Sequence, residues 1–262
     1  MYLRAVHADA DVRTLRDIIR QYPLGILTTA IPSPTKSYPL IQCTHIPFLL
    51  DLEDEMSETE LGVLRGHMAR SNPHAKAFIE ALEANPAAGG VLEQEVMVLF
   101  NVPVHHYVTP KFYVETKPKD GKVVPTWDYA ASQVYGTAKI FFDSKSEETG
   151  SFLAKQISEL SDHAEANIMG HKGGETGKEP WKVSEAPDSY INLLKKAIIG
   201  IEIKVDRLEG KFKMSQELPE GDVQGVVDGF EKMGTETTKQ IAGIITERRE
   251  LKKAKAAAKA SA

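Results

Sequence analysis

The chain has 262 residues, of which 42% are hydrophobic and 26% charged, and its formal net charge is −5. This balance is typical of a folded globular protein and excludes a mainly disordered chain. The single cysteine, Cys43, excludes an internal disulfide framework, and no apolar run approaches the ~20 residues of a membrane-spanning helix. Since the N-terminus also lacks the apolar core of a secretory signal, we expect a cytoplasmic location, with the nucleus as the alternative.

The first elements predicted along the chain are a helix and a hairpin. Apolar residues at helical spacing predict an amphipathic helix over 10–22, and Pro23 ends it. The runs 24–31 and 41–50 are rich in apolar and β-branched residues and flank a Pro-containing turn, so they predict a β-hairpin. Pro47 predicts an irregularity or a sheet edge in the second strand.

A strand and a helix with a clear start signal follow. Residues 61–69 predict the strand. Residues 72–84 predict the helix, with Asn72 as the N-cap and a proline at the first helical position. The next run, 95–109, predicts a strand pair or one bent strand, and a polar turn is predicted over 117–122.

The second half of the chain predicts further strands and helices. Residues 127–142 predict a strand, and 146–163 and 187–197 predict helices separated by a mobile Gly/Lys-rich loop over 170–181. Alternating apolar residues predict that 197–216 begins as a half-buried strand, and the remainder is typical of helix. Because this order lacks regular β/α alternation, it favours an antiparallel barrel with helices over a parallel sheet.

The segment RGHMARSNP places Arg65, His67, Arg70, Ser71 and Asn72 where the predicted strand meets a helix N-terminus. Free backbone N–H groups, the positive end of a helix dipole and guanidinium groups together suit a phosphate. The alternative interpretation is an asparagine cap flanked by surface arginines.

Two adjacent histidines, His105 and His106, raise the question of a metal or haem. Neighbouring residues of a strand point to opposite faces, so these two cannot easily share one metal ion. No HExxH or CxxC spacing occurs, and we expect no metal site. Either histidine remains a candidate for the wall of a pocket.

Trp127 and Tyr129 are two residues apart in VPTWDYAASQVYG and therefore share one face of an extended strand. That face either stacks on a ring-shaped ligand or packs in the core. In EGKFKMSQ, Lys211 and Lys213 share a side of the chain. They either place donors at an anion or a flavin edge, or form a solvated basic strand.

The chain lacks the GxSxG, Walker A and GxGxxG motifs, which argues against serine hydrolases, P-loop enzymes and Rossmann enzymes. The sequence therefore assigns no catalytic residue. Its last stretch, 247–262, has six Lys or Arg against two Glu and predicts a basic helix. That helix either contacts nucleic acid or an acidic surface, or is simply solvated.

Seven separated blocks occur in an order that resembles the PaiB family of FMN-binding negative transcriptional regulators. They cover residues 1 to about 230 and are MY, YPLGILTT, THIPFLL, LRGHMARSNP, VLFNVPVHHYVTPKFY, VPTWDYAASQVYG and LEGKFKMSQ. The resemblance implies an α+β fold with a mostly β core, the FMN-binding split β-barrel. This is an antiparallel Greek-key barrel with flanking helices, usually a homodimer with the flavin near the interface.

The resemblance also implies a domain organisation. We expect a split-barrel domain with flanking helices over 1–232, within which 163–187 is a mobile loop insertion, and a basic helical tail over 233–262. The insertion and the tail are additions of the kind expected in a eukaryotic, fungal member.

By position, the resemblance implies ten cofactor-binding residues. Thr44 and His45 would line the flavin site, and Arg65, His67, Arg70 and Asn72 would lie near phosphate or ribityl oxygens. Trp127 and Tyr129 would lie against the ring or at the dimer seam, and Lys211 and Gln216 would approach from the last strand.

The chain departs from the family pattern at several positions. Asp128 replaces the usual Asn, Phe112 replaces a Trp, and Glu217 and Leu218 replace Asn-Arg, while NVPVHHY lacks the usual Gly-Pro. Because added carboxylates work against a dianionic phosphate, FMN binding that is weakened or lost stays an alternative to ordinary binding.

Three hypotheses follow from the sequence. The first is a dimeric PaiB-type protein that binds FMN or a related ring cofactor and regulates transcription, with nucleic acid contacted through the basic tail or the loop. The second is a flavin-dependent oxidoreductase or a haem-binding or haem-degrading protein. The third is a cofactor-free dimeric interaction protein.

Overall fold

The structure is a computed structural model that describes residues 1–33, 36–174 and 177–260. It divides into two compact units. The central unit consists of Val12–Phe100 and Gln133–Leu208, and the terminal unit consists of Met1–Asp11, Asn101–Ser132 and Glu209–Ala262.

Nine strands and seven α-helices are present in the described residues. The strands are β1 Ala8–Asp9, β2 Leu24–Ala30, β3 Ile41–Pro47, β4 Leu49–Asp51, β5 Val63–Ala69, β6 Val96–Asn101, β7 His106–Val108, β8 Thr126–Phe141 and β9 Ile198–Lys213. The helices are α1 Val12–Gln21, α2 Pro73–Ala84, α3 Thr116–Asp120, α4 Glu147–His163, α5 Asp188–Lys196, α6 Glu220–Met233 and α7 Glu236–Ala260. The two long strands, β8 and β9, contribute residues to both units.

The sheet of the central unit has the strand order β3-β2-β6-β8-β9-β5-β4. β2 pairs antiparallel with β3 and β6, and β5 pairs antiparallel with β4 and β9. Alternate residues of β2 and β6 are buried, as expected for strands with one face in a core. The core includes Leu27, Leu64, Phe78, Val98, Phe100 and Ile201. The predicted α+β class with an antiparallel sheet and flanking helices is confirmed.

The predicted hairpin is confirmed as β2 and β3, with Ile26 opposite His45. Pro47 ends β3, and the chain resumes at Leu49 as the short strand β4, which pairs with β5 instead of β2. The irregularity predicted at this proline is therefore a change of strand partner.

The predicted start of α2 is also confirmed. Asn72 adopts an extended conformation, and its side-chain oxygen accepts a hydrogen bond of 2.9 Å from the backbone N–H of His74. Pro73 occupies the first helical position, where its missing N–H leaves no unpaired donor.

The terminal unit combines two short strand pairs with the C-terminal helices. β1 pairs with the end of β9, and β7 pairs with the start of β8. In α6, a Cβ atom at Gly225 would lie 2.1 Å from the carbonyl oxygen of Phe112, and one at Gly229 would lie 2.4 Å from the Phe112 ring. Glycine at these two positions, one helical turn apart, lets the turn around Phe112 approach the helix closely.

The structure differs from the sequence predictions in three places. A short helix, α3, replaces most of the predicted polar turn and ends at Gly121, whose φ of 68° is left-handed. The last strand continues through Gly210 to Lys213, and the loop predicted at 163–187 contains a π-helical turn at Ala164–Ile168. Residues 175–176 of that loop lie outside the described residues, and its mobility and the predicted domain boundaries stay predictions.

The predicted C-terminal helix is present as α7. In the part of the chain that the structure describes, no helix is both long enough and apolar enough to cross a membrane.

A buried arginine fixes the long connection between β4 and β5. Arg16 of α1 is 2% exposed. Its guanidinium donates hydrogen bonds to the carbonyl oxygens of Glu60 (3.0 Å), Ser57 (2.7 Å) and Glu55 (3.4 Å). One buried side chain of α1 thus binds three carbonyl groups of the connection.

We expect Arg16→Ala to lower the free energy of unfolding by ~3 kcal/mol, since the substitution removes a buried side chain and its hydrogen bonds with three part-buried carbonyl groups. Urea denaturation of both proteins measures the difference. The control is Arg20→Ala on the same helix, which removes an exposed pair with Glu55 and should cost under ~1 kcal/mol. Equal losses in the two variants would contradict the role given to Arg16.

Candidate functional site

A cavity of about 580 Å³ lies beside His67 in the central unit, and we call it the His67 cavity. Its polar lining consists of His67, Ser71, Ser161 and Lys195. Its other lining residues are Ala69, Ile157, Leu160, Ala164, Trp181, Val183, Ile191, Leu194, Ala197 and Ile198. A largely apolar cavity of this size with a few polar groups is typical of a site for a ring-sized small molecule.

A strand and two helices line the cavity, and the spacing of residues along each element explains which side chains face it. Residues two apart on a strand share a face, so His67 and Ala69 of β5 point to the same side. Residues three apart on a helix are neighbours, which brings together Ile157 and Leu160 of α4. The same spacing brings together Ile191 and Leu194 of α5.

His67 is a lining residue with an unsatisfied hydrogen-bonding atom. Its Nδ1 atom is buried and has no hydrogen-bond partner among the described residues. Burial lowers the pKa of His67, so the imidazole is neutral at pH 7 and offers one donor and one acceptor nitrogen. A buried polar atom without a partner costs ~1–3 kcal/mol, and a ligand that supplied a partner would recover this cost.

Lys195 supplies a cation to the lining, and Arg70 braces the same part of the cavity. The Arg70 guanidinium donates to the carbonyl oxygen of Phe142 and, at 3.3 Å, to that of Lys196. Its backbone N–H donates to the carbonyl oxygen of Ala197 at 2.8 Å. Arg70 therefore fixes the end of α5, next to Lys195 and Ala197 in the lining.

Asn72 and Thr44 belong to a hydrogen-bonded chain centred on His74. The His74 ring nitrogens lie 2.9 Å from Thr44 Oγ1 and 2.7 Å from Thr29 Oγ1, and the Asn72 amide donates to Thr44 Oγ1 at 3.4 Å. Burial lowers the pKa of His74 to about 4, so the ring is neutral and both its nitrogens are used. This chain ties β2, β3 and α2 together, while His45 lies exposed on β3.

The Arg65 guanidinium forms ion pairs with two carboxylates. Its guanidinium binds Asp51 and Glu159, and it is nearly buried. Burial by itself lowers the pKa of Arg65, but the hydrogen bonds with the two carboxylates outweigh burial, and the pKa lies above its ordinary value. The positive charge is therefore already compensated within the central unit.

Trp127 lies on the surface of the terminal unit. It is 49% exposed, so the alternative that it packs in the core is wrong. Its indole N–H donates to His105 Nδ1 at 3.2 Å, and its ring centroid lies 6.3 Å from that of Tyr107. These three side chains form an exposed group that we call the aromatic cluster.

Lys211 and Gln216 also belong to the terminal unit. The Lys211 ammonium donates to the carbonyl oxygen of Tyr2 at 3.1 Å and lies 5.3 Å from the centroid of the Tyr129 ring. The Gln216 side chain accepts from the backbone N–H of Met214 and donates to the carbonyl oxygen of Phe212, each at 2.6 Å. Gln216 thus stabilises its own turn.

The ten predicted cofactor-binding residues are divided between the two units. Six lie in the central unit and four in the terminal unit. His67 lines the cavity and Arg70 braces it, whereas the side-chain contacts of the other central residues hold strands, a helix cap or an ion pair. The cofactor roles of all ten stay predictions. Four lining residues were not predicted from the sequence: Ile157, Leu160, Trp181 and Lys195. Helical spacing and an isolated tryptophan were the sequence signals available for them.

Asp128 occupies a buried polar position next to the turn that follows β9. It is fully buried, and its Oδ2 atom accepts a hydrogen bond of 2.7 Å from the Ser215 hydroxyl. Its Oδ1 atom lies 3.9 Å from Lys213 Nζ and has no hydrogen-bond partner among the described residues. Burial raises the pKa of Asp128 to about 6. Ser215 has a left-handed φ of 59°, an uncommon conformation for a non-glycine residue.

We expect Asp128→Asn to change how stability depends on pH. Between the ordinary carboxyl pKa of 3.8 and the folded pKa of about 6, the folded protein keeps a proton that the unfolded chain has released. The contribution of Asp128 to the free energy of unfolding therefore falls as pH rises through this window, by at most about 3 kcal/mol. The amide retains an acceptor for Ser215 and abolishes this fall.

Urea unfolding of both proteins at pH 4, 5, 6 and 7 checks the expectation. The difference between variant and parent isolates Asp128 from other titrating groups such as His74, whose lowered pKa acts in the opposite direction. The stability of the variant should gain on that of the parent with rising pH. Parallel profiles would show that Asp128 is not held protonated in the folded state.

No group of three or more His, Cys, Asp or Glu side chains is placed to hold a metal ion within residues 1–33, 36–174 and 177–260. His105 accepts from Trp127, and the His106 ring nitrogen lies 2.7 Å from the Tyr107 carbonyl oxygen. The two histidines are therefore engaged in local contacts.

A comparison of sequences shows what the chain is similar to. A family model described as "Putative FMN-binding domain" matches residues 1–207. An uncharacterized protein of Emericella nidulans is 60% identical over 257 residues, which are 96% of this chain and 99% of that protein. Protease synthase and sporulation protein PAI 2 of Bacillus subtilis is 25% identical over 205 residues, which are 78% of this chain and 80% of that protein.

A comparison of structures matches the chain to solved proteins that include two whose names refer to flavins. Flavocytochrome Anf3 from Azotobacter vinelandii has a TM-score of 0.42 at 10% identity, covering 81% of this chain and 72% of its own. An FAD-binding protein from Mesorhizobium loti has a TM-score of 0.36 at 12% identity, covering 80% of this chain and 94% of its own.

Proposed function

Because the chain belongs to the FMN-binding domain family whose model matches residues 1–207, we propose that it binds FMN in the His67 cavity. The observation that carries this placement is the buried, unpartnered Nδ1 atom of His67 on the wall of a ring-sized apolar cavity. We thus propose the His67 cavity of the central unit as the location of FMN binding, the property for which the family is named.

The residues present suit the group. The apolar side chains of α4 and α5 match the faces of an isoalloxazine ring, and Trp181 offers an aromatic surface for stacking. His67 would hydrogen-bond a heteroatom at the ring edge, and Lys195 would pair with the phosphate. When bound, FMN supplies redox chemistry, while these side chains bind it, orient it and exclude water.

The acidic departures from the family pattern do not count against this site. Asp128 and Glu217 lie in the terminal unit and are not part of the cavity lining. The Glu217 carboxylate also lies 2.9 Å from His7 Nε2 and 3.8 Å from Lys213 Nζ, so it already has partners. The proposal therefore favours ordinary FMN binding over weakened or lost binding.

We expect His67→Phe and Lys195→Gln each to weaken FMN binding by ~10-fold. Phenylalanine keeps the ring shape but removes both nitrogens, and the loss of one hydrogen bond to a buried group corresponds to about this factor. Glutamine at position 195 removes the charge-assisted contact with the phosphate. Quenching of flavin fluorescence on titration of the purified protein measures the dissociation constants.

Lys196→Gln is the matched control, because Lys196 is the neighbouring residue of α5 and does not line the cavity. Its affinity should stay within about twofold of the parent. If the parent binds FMN and His67→Phe binds it equally well, the placement in this cavity is wrong. If the parent binds no FMN at all, the proposed function itself fails.

The proposal includes a homodimer. It is supported by the resemblance to the PaiB family and by the exposed aromatic cluster of Trp127, Tyr107 and His105, which a second copy of the chain could cover. We expect the parent protein to have the mass of a dimer by light scattering and Trp127→Ser to shift toward the monomer. A monomeric parent protein, or a variant with an unchanged dimer, would remove the aromatic cluster from the proposed interface.

The proposal includes a regulatory role, which rests on the resemblance to the PaiB family of negative transcriptional regulators. In α7, Arg248 pairs with Asp9, and Arg249 and Lys253 both pair with Glu220. Because these three basic side chains already form ion pairs within the terminal unit, the proposal routes regulation through flavin occupancy and not through DNA contact by Arg248, Arg249 and Lys253.

A further inference from the structure

A second cavity, of about 200 Å³, lies in the terminal unit between the N-terminal segment and α7. We call it the Arg248 cavity. Its lining residues are Ala5, Val6, His7, Ala8, Asp9, Phe212, Gln216, Arg248, Leu251 and Lys252. At ~30 Å³ for each liquid water, this volume corresponds to roughly six or seven waters, enough for the polar end of a small molecule.

Arg248 is held rigidly at the wall of this cavity. Its guanidinium carbon lies 3.2 Å from the centroid of the Phe212 ring, and Nη1 pairs with Asp9. The side chain is only 10% exposed. Its Nε atom is buried and has no hydrogen-bond partner among the residues that the structure describes. A stacked guanidinium with an unused donor is preorganised for an additional acceptor.

Lys252 lies one helical turn further along α7 and lines the same cavity. Its ammonium donates a hydrogen bond of 2.7 Å to the carbonyl oxygen of Gln216. Within the described residues, no carboxylate lies within 4.0 Å of this ammonium, in contrast to Arg248, Arg249 and Lys253. The charge of Lys252 is therefore uncompensated by a neighbouring acid.

Among the lining residues, Arg and Lys side chains exceed carboxylates by one. Arg248 and Lys252 contribute two, and Asp9 contributes one negative charge. The remaining ionisable group of the lining, His7, is buried, and its Nε2 atom is bonded to Glu217 at 2.9 Å. One excess positive charge with donors from two side chains matches a single oxyanion group, for which guanidinium and ammonium are the usual partners.

We infer that the Arg248 cavity binds the oxyanion group, carboxylate or phosphate, of a small molecule. Lys252 and Arg248 hold the oxyanion, and the apolar side chains of Val6 and Leu251 contact the rest of the ligand. This site lies in the terminal unit, and its ligand is independent of the FMN proposed for the His67 cavity.

Calorimetric titration of the full chain with inorganic phosphate and, separately, with acetate at constant ionic strength tests the inference. We expect at least one of the two anions to bind, and the one that binds identifies the group as phosphate or carboxylate. Lys252→Gln should weaken that binding by at least tenfold. It leaves the Arg248–Asp9 pair intact, so loss of folding does not confuse the result.

The control is Lys239→Gln, which removes one exposed positive charge from the same helix away from the cavity and should bind like the parent. Binding of neither anion by the parent would overturn the inference, as would equal binding by Lys252→Gln. Repeating the titration on protein saturated with FMN separates the two sites. Oxyanion binding that persists there supports a separate site, whereas competition with FMN would overturn it.

Discussion

The alternation of side chains along β5 is the constraint on which the central unit depends. A Cβ atom at Gly66 would touch Ile46 and Phe48, so one face of the strand is pressed against the interior. The opposite face presents Arg65 and His67 to α4. Successive residues of a strand point to opposite faces, so a change in the orientation of one residue would also change that of its neighbours. The packing that buries the even-numbered residues of β5 therefore also fixes the orientation of the polar side chains at its odd-numbered positions.

The buried polar side chains of this protein differ in whether they line a cavity. Arg16 and Arg65 are buried, but carbonyl or carboxylate oxygens compensate their charges. His67 and Arg248 each retain a buried nitrogen without a partner among the described residues, and each lines a cavity. Arg16 Nε and Asp128 Oδ1 also lack partners among the described residues but line neither cavity, so it is the combination of an unpaired buried nitrogen with a cavity that supports the two proposed ligands.

Much of the fold and the family could be predicted from the sequence, because the signals are local. The hairpin of β2 and β3, the Asn72 cap and the helical C-terminus each depend on residues close together in the chain. The FMN-binding family was predictable from blocks such as LRGHMARSNP, and the antiparallel sheet with flanking helices that it implies is confirmed with it.

The candidate site was less predictable, because its contacts join distant residues. Arg65 pairs with Asp51 and Glu159, which are 14 and 94 positions away, so its engagement could not be read from its own segment. For Trp127, the period of two showed that it shares a face with Tyr129 but not which face is buried. The buried position on this strand belongs to Asp128, whose carboxylate lies in the interior beside Ser215.

The most direct test of the flavin placement uses the two tryptophans of the chain, Trp127 and Trp181. In Trp127→Phe the remaining emission comes from Trp181, which lines the His67 cavity. Time-resolved fluorescence during FMN titration should show that Trp181 is quenched by direct contact, in step with the quenching of the flavin itself. Bound FMN that leaves the Trp181 emission and lifetime unchanged would contradict the placement of the flavin in this cavity.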